Sequence, residues 1–111
     1  MLPSRDRLRF REVKDVFEKG KRRTASLFSF LFLSPTDRTA FAVTISKKVA
    51  KNASDRNLIR RRIYSVLSKI RNYSLSKAHV VFVPKKEIIK EDFRVLEDEI
   101  KESLAHANII K

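Results

Sequence analysis

The chain is organised around residues 46–70, which read SKKVAKNASDRNLIRRRIYSVLSKI. This segment starts as the end of a predicted strand and continues into an amphipathic helix. It holds eight Lys and Arg residues against one acid, Asp55, and Arg71 adds a further positive charge directly after it. A merely soluble helix face usually mixes both signs of charge, whereas a face with one sign favours a polyanion as its partner.

The helix predicted over Ser54–Asn72 has a single apolar face. Its apolar residues recur at intervals of three and four, the pattern of a helix that packs on a sheet. They are Ile59, Ile63, Val66, Leu67 and Ile70. Ser54 is the predicted N-cap, and Lys47–Ala53 is the loop before it. The basic side chains of the segment are therefore expected to point away from the core.

The flanking sequence predicts six further elements. They are a helix over Arg9–Lys19, strands over Lys21–Arg23, Leu27–Leu33, Phe41–Ser46 and His79–Val83, and a helix over Asp92–His106. Gly20, the only glycine, is expected to end the first helix in the left-handed conformation. The order α-β-β-β-α-β-α predicts an α+β fold, with one mixed four-stranded sheet and helices packed mostly on one face.

Length and charge narrow the possible functions. A chain of 111 residues with 42% hydrophobic residues predicts one domain over residues 1–111. The net charge of +13 lies in residues 1–72, with 19 basic and six acidic residues, because the remainder holds seven of each. This polarity favours nucleic acid over an anionic membrane as the partner. The longest apolar run, Leu27–Leu33, is too short to span a bilayer.

The residues that usually carry catalysis or bind metals are scarce. A single glycine excludes the usual phosphate-binding loops, and the Gly-x-x-Gly loop of KH domains and the signature strand of RRM domains are missing. The chain lacks cysteine, and its only histidines, His79 and His106, are interpreted as structural. The sequence predicts a binding protein with no catalytic residues, no metal site and no cofactor bound by the protein alone.

The spacing of the basic segment is more specific than its charge. The motif S-K-K-x-x-x-x-A-x-x-R-N-x-x-x-R comprises Ser46, Lys47, Lys48, Ala53, Arg56, Asn57 and Arg61. A second motif, R-L followed by V-F-x-x-G, comprises Arg7, Leu8, Val16, Phe17 and Gly20. Together with the strand and acidic helix between His79 and Leu104, these motifs resemble the protein subunit of bacterial ribonuclease P over nearly the whole chain. The chain departs from the family pattern at three places. Val13 occupies a position that is often aromatic in the family, Leu58 one that is usually Arg or Lys, and Tyr64 and Ser65 stand where the family has Arg-Glu.

The resemblance implies an RNA-catalysed endonuclease, in which the partner RNA binds Mg²⁺ and removes the 5′ leader from precursor tRNA. It assigns binding of the catalytic RNA to Lys47, Lys48, Lys51, Arg56, Asn57, Arg60 and Arg61. It assigns binding of the single-stranded leader to a cleft between the first helix and the sheet, with Val13, Phe17, Phe30, Thr44 and Ser46. It also implies a left-handed β-α-β crossover, a cytoplasmic location, no membrane partner and a monomeric free protein.

A structural RNA-binding protein of the ribosomal type is the alternative interpretation. Such a protein would use the same basic helix but would have no leader groove, and Phe17 and Phe30 would then be ordinary core residues. A DNA-binding helix-turn-helix fits less well, because the paired short helices of that motif are missing.

Overall fold

The computed structural model describes residues 2–110. Within this range the main elements follow the predicted order. They are α1 (Phe10–Lys19), β1 (Lys21–Thr24), β2 (Phe28–Leu33), β3 (Ala40–Val43), α2 (Ala53–Ile70), β4 (His79–Pro84) and α3 (Phe93–His106). Short 3-10 helices lie at Ser4–Asp6 and Lys86–Lys90. The N-cap of α2 is Asn52 rather than the predicted Ser54, so the helix begins slightly earlier than expected.

The four strands form one mixed sheet in the order β1-β2-β4-β3. β2 pairs antiparallel with β1 and β4, whereas β3 pairs parallel with β4. A parallel pair needs a long crossover connection, and α2 lies within it. The predicted α+β class with a mixed four-stranded sheet is confirmed. The left-handed sense of the crossover stays a prediction from the family resemblance.

Alternation along the strands separates two apolar layers on the two faces of the sheet. Phe30 and Phe82 belong to the larger layer, which α2 and α3 cover. Leu31 and Val81 belong to the smaller layer, where Val16 of α1 is fully buried against them. Two helices therefore cover one face and α1 covers the other.

Gly20 ends α1 in an extended conformation, with φ −77° and ψ 167°, so the predicted left-handed conformation was wrong. The need for glycine has another cause. A Cβ atom at this position would lie 2.5 Å from the Val16 carbonyl oxygen and 2.8 Å from the Phe32 carbonyl oxygen. Glycine therefore permits the close approach of the last turn of α1 to β2.

A charged cluster fixes α1 to one end of the sheet. Arg38, in the loop before β3, donates to both carboxylate oxygens of Glu12 at distances of 2.6 and 3.0 Å. His79 Nε2, at the start of β4, lies 3.0 Å from Asp37 Oδ1. The hydrogen bond from Arg38 lowers the pKa of Glu12 to about 2. The cluster therefore sets which side of α1 faces this end of the sheet.

We expect Glu12→Gln to lower the free energy of unfolding by about 1–2 kcal/mol at neutral pH, because it removes charge-assisted hydrogen bonds at a partly exposed site. The folded pKa of about 2 lies below the ordinary 4.5, so this stabilisation is complete above the ordinary pKa and is lost as the pH falls towards the folded one. Chemical denaturation should therefore show that the difference in the free energy of unfolding between the variant and the natural protein is largest at about pH 7. At about pH 3 it should be less than half of that value.

Glu18→Gln provides the matched control, because Glu18 is exposed on the same helix. This control should leave the stability nearly unchanged at both pH values. A Glu12→Gln difference of equal size at both pH values would show that the carboxylate charge does not stabilise the fold.

Candidate nucleic-acid interface

The turn before α2 carries three of the predicted RNA-binding residues just beyond β3. The backbone N–H groups of Val49 and Ala50 donate to the Ser46 carbonyl at 3.1 and 3.4 Å, which closes a tight turn. Ala50 is buried and anchors it. The side chains of three residues of this segment are exposed, namely Lys47, Lys48 and Lys51. The lysines are thus held on a defined turn.

Arg56 joins this turn to the first part of α2. Its Nη1 donates to the carbonyl oxygens of Ala50 at 2.9 Å and Lys51 at 2.8 Å. These carbonyls belong to the segment that leads into the helix, so Arg56 holds the turn against the helix. A guanidinium has five N–H donors, so two hydrogen bonds from one nitrogen do not exhaust its capacity. Arg56 is therefore placed to position the lysines as well as to meet phosphate.

The other predicted residues of α2 line a recess of about 430 Å³. Arg60 donates to Asn57 Oδ1 at 2.9 Å, which orders the two side chains one turn apart. Arg61 is exposed. The lining residues are Arg7, Ser54, Asn57, Arg60, Arg61 and Tyr64. The recess brings three of the predicted residues together with two that had been given no role, Arg7 and Tyr64.

Arg7 reaches this recess because the N-terminal segment lies along the outer edge of β3. Arg7 forms an isolated parallel bridge with Phe41, and Leu8 N donates to the Phe41 carbonyl at 2.9 Å. Asp6 accepts a hydrogen bond of 2.9 Å from Arg71 Nε beyond the end of α2. The segment is therefore tied to both the sheet and the helix. The sequence placed Arg7 and Leu8 in the second family motif, but no local pattern indicated that their segment would pair with β3.

A larger recess of about 780 Å³ adjoins the first one and shares Arg7 and Tyr64 with it. Arg5, Arg9 and Arg38 also line it, as do Glu12 and Asp37, whose carboxylates contact Arg38 and His79. Burial raises the pKa of Tyr64, so its hydroxyl is neutral at physiological pH and can donate a hydrogen bond. The turn that carries Lys47, Lys48 and Lys51 is called the lysine turn below. Together with the two recesses it forms what we call the basic surface. Its members are Arg5, Arg7, Arg9, Lys47, Lys48, Lys51, Arg56, Asn57, Arg60, Arg61 and Tyr64.

α1 crosses its face of the sheet so that its two flanks meet different rows of side chains. One flank carries Glu12, which lies 3.8 Å from His79 at the start of β4. By helical spacing, Val13 and Phe17 lie on the opposite flank. That flank therefore faces the other end of the strands, where Val83 ends the row of β4 residues on this face.

Val83 and Thr44 belong to the row of side chains next to this flank. Val83 pairs with Ser29 of β2, and Thr44 N donates to the Phe82 carbonyl at 2.9 Å, which extends the ladder beyond β3 by one bond. Val83 is half-buried and Thr44 is exposed. We call the surface between them and Val13 and Phe17 the α1 groove. The sequence analysis did not identify Val83 as a groove residue. Both faces of its strand are apolar, so the pattern does not show which residues face α1.

The five predicted leader-binding residues divide between the two faces of the sheet. Val13 is half-buried and Phe17 is 44% exposed, both on the groove flank of α1. Thr44 and Ser46 are exposed, and Ser46 opens the lysine turn. Phe30 was wrongly assigned to the groove. It is 2% exposed and belongs to the opposite core layer, because even-numbered residues of β2 point away from α1.

The Glu12, Asp37 and His79 side chains offer three ligand atoms within 4.8 Å of one another. Arg38 already donates to the Glu12 carboxylate. A divalent cation in this cluster would be repelled by the guanidinium. We therefore interpret the cluster as the ion-pair network that fixes α1.

The family model for ribonuclease P matches residues 2–108. The chain belongs to the ribonuclease P protein family. It is 31% identical to the ribonuclease P protein component of Pseudanabaena sp. over 113 aligned residues, which cover 99% of this chain and 97% of that one. It is 35% identical to the ribonuclease P protein component of Petrotoga mobilis over 88 residues, which cover 78% of this chain and 74% of that one.

Solved structures of family members share the fold. The RNase P protein of Staphylococcus aureus superposes with a TM-score of 0.83 at 16% identity, covering 96% of this chain and 98% of that one. The RNase P protein of Thermotoga maritima superposes with a TM-score of 0.79 at 21% identity, covering 90% of this chain and 96% of that one. At these identities the likeness shows the fold alone.

Family membership confirms the resemblance found in the sequence. The chain is a protein component of ribonuclease P, a ribonucleoprotein endoribonuclease that acts in tRNA 5′ leader processing, and the ribonuclease P RNA is its partner. Among the helices within residues 2–110, none is both long enough and apolar enough to cross a membrane.

Alanine variants at Arg56 and Arg61 should separate positioning from direct contact with RNA. We expect Arg56→Ala to lower the free energy of unfolding by about 1–2 kcal/mol, because two hydrogen bonds to the turn are lost. Arg61 is exposed, so Arg61→Ala should change the stability by less than about 0.5 kcal/mol. It should reduce the slope of log K against log salt by roughly 0.7–0.9 if its charge meets one phosphate.

Denaturation and titration of the ribonuclease P RNA at several salt concentrations provide the two measurements. Equal stabilities of the two variants would contradict the role of Arg56 in holding the turn against α2. An unchanged salt slope for Arg61→Ala would show that this side chain does not meet phosphate.

Proposed function

We propose that this subunit holds two RNA segments on adjoining surfaces. The basic surface would bind the catalytic RNA, and the α1 groove would bind the single-stranded 5′ leader of precursor tRNA. The observation that carries the proposal is the junction beyond β3. Thr44 borders the groove, Ser46 opens the lysine turn two residues later, and Arg56 holds that turn against α2.

The charge distribution supports the assignment of the basic surface to folded RNA. Lys47, Lys48, Lys51 and Arg61 are exposed, so their charges are available to phosphates. Each such contact releases counterions, which makes the affinity dependent on salt. Arginine adds a planar fork that can hold a phosphate through two hydrogen bonds. The acidic helix α3 shares its sheet face with α2, but the Lys69–Glu97 ion pair places their contact near the end of α2, away from Arg56.

The chemistry of the α1 groove supports its assignment to a single strand. Phe17 presents an exposed aromatic ring, and Val13 and Val83 add apolar surface beside it. Thr44 supplies a hydroxyl at the edge. Stacking of bases on an aromatic side chain does not depend strongly on base identity, which suits leaders of different sequence.

We assign the cleavage itself to the RNA with Mg²⁺, as the family resemblance implies. The protein residues would position the leader and neutralise phosphate charge. Both effects lower the repulsion between catalytic RNA and substrate, so less Mg²⁺ should be required. We further propose a cytoplasmic location, as the family resemblance implies. We also propose that the free protein is monomeric, because a net charge of +13 disfavours self-association. A structural, ribosomal-type role is disfavoured by membership of the ribonuclease P family.

Reconstitution with the catalytic RNA tests the proposal through Phe17→Ala. At low Mg²⁺, the natural protein should stimulate cleavage of precursor tRNA by the RNA. The variant should bind precursor tRNA about fivefold to a hundredfold more weakly, since stacking contributes about 1–3 kcal/mol per base. Its affinity for mature tRNA, which has no leader, should not change.

Val95→Ala is the matched control, because Val95 is 45% exposed on α3 and lines a recess with Arg23 and Thr24 of β1, the strand at the opposite edge of the sheet from β3. It should leave both affinities unchanged. An equal loss of precursor and mature tRNA binding in Phe17→Ala would contradict a leader groove beside α1. Equal cleavage with and without the protein would overturn the proposal as a whole.

A further inference from the structure

Phe10 is the most exposed large apolar side chain among residues 2–110, with 87% of its surface accessible. It is the first residue of α1 and belongs to neither core layer. Single exposed apolar residues are common in proteins. The position of Phe10 relative to the α1 groove makes this one informative.

Phe10 lies on the same flank of α1 as the groove residues. Phe10, Val13 and Phe17 are spaced at i, i+3 and i+7, so they share one side of the helix. Glu12 and Asp15 lie on the opposite flank, where Glu12 contacts Arg38. The aromatic flank is therefore separate from the acidic one.

The surroundings of Phe10 are suited to a polyanion. Lys14 lies one turn further along the helix from Phe10, and Arg9 and Arg11 flank Phe10 in sequence. Arg9 also lines the larger recess of the basic surface. An apolar ring with positive charges around it matches the chemistry of nucleic acid, in which bases stack and phosphates need neutralisation.

The start of α1 lies at the edge of the sheet near the basic surface. The hydrogen bond from Leu8 N to the Phe41 carbonyl places the entry to the helix at the outer edge of β3. With a rise of about 1.5 Å per residue, Phe10 lies roughly 10 Å from Phe17 along the helix. At the spacing of about 3.4 Å between stacked nucleotides of a duplex strand, this distance corresponds to about three nucleotides of a stacked leader.

We propose that Phe10 is a second stacking site for the single-stranded leader, about three nucleotides from the base that stacks on Phe17. The proposal rests on the assignment of the α1 groove to the leader. We favour the leader over the catalytic RNA as the occupant, because Phe10 shares its flank with Val13 and Phe17. Arg9 of the basic surface is next to Phe10 in sequence, but it lines the larger recess together with Glu12, and Phe10 is not among the residues that line that recess. Phe10 thereby lengthens the part of the leader that the protein contacts.

A tryptophan at this position gives a direct test, because the natural chain contains none. Phe10→Trp keeps an aromatic ring and makes its fluorescence specific to this site. In the complex with catalytic RNA, precursor tRNA with a long leader should quench the emission. Mature tRNA, and precursor tRNA whose leader stops about three nucleotides short of this site, should not. Val95→Trp, on α3, is the control and should show no quenching that depends on leader length.

Binding measurements provide the second test. Phe10→Ala should weaken binding of long-leader precursor tRNA about fivefold or more, leave short-leader binding unchanged, and be rescued by Phe10→Trp. Quenching by the catalytic RNA alone would assign Phe10 to that RNA and overturn the inference. Leader-independent emission and binding would also overturn it. If Phe17→Ala still lowers precursor binding in that case, the α1 groove remains and only the second stacking site is lost.

Discussion

The two hydrogen bonds from Arg56 to the Ala50 and Lys51 carbonyls determine how the strand end and the following helix present their charges. Without them, the turn between β3 and α2 would be held by its hydrogen bonds to the Ser46 carbonyl and by the buried Ala50, with no side-chain tie to the helix from Arg56. With them, the turn and the first part of α2 form one unit. The basic surface and the α1 groove meet at this unit, because Thr44 and Ser46 lead directly into it. The proposed function depends on that continuity.

The remainder of the fold keeps the two RNA-facing regions apart from the core. α2 and α3 cover the aromatic layer on one face of the sheet, and α1 covers the smaller layer on the other. The Glu12–Arg38 ion pair sets which flank of α1 faces the groove, and Gly20 lets the helix end close to β2. Contacts far from RNA therefore determine the orientation of Phe17. The positive charges lie mostly outside these layers, where their desolvation cost is small.

Local patterns in the sequence were sufficient for the elements and for most of the basic surface. The apolar spacing of α2 predicted its buried face, which contains Ile59, Ile63, Val66, Leu67 and Ile70 as expected. The family resemblance added the site residues and the left-handed sense of the crossover, which stays a prediction. Composition alone could not have assigned them, because a basic helix is common to many RNA-binding proteins.

Other features depend on tertiary contacts that local sequence does not encode. Both faces of Leu27–Leu33 are apolar, so alternation could not tell which side Phe30 would face. The approach of Gly20 to the Phe32 carbonyl depends on the packing of α1, and a glycine after a helix more often indicates a left-handed cap. Arg7 joined the site because its segment pairs with β3, and that pairing needs the completed sheet.

Site-specific crosslinking measures the continuity of the two surfaces most directly, because the natural chain has no cysteine to interfere. A photoreactive group would be attached after Thr44→Cys, Arg61→Cys or Val95→Cys, in the complete complex with catalytic RNA and precursor tRNA. Thr44→Cys should crosslink to the leader, Arg61→Cys to the catalytic RNA, and Val95→Cys to neither. Crosslinks from Thr44→Cys and Val95→Cys to the same RNA segment, or none from Arg61→Cys, would contradict the arrangement of two adjoining RNA-binding surfaces.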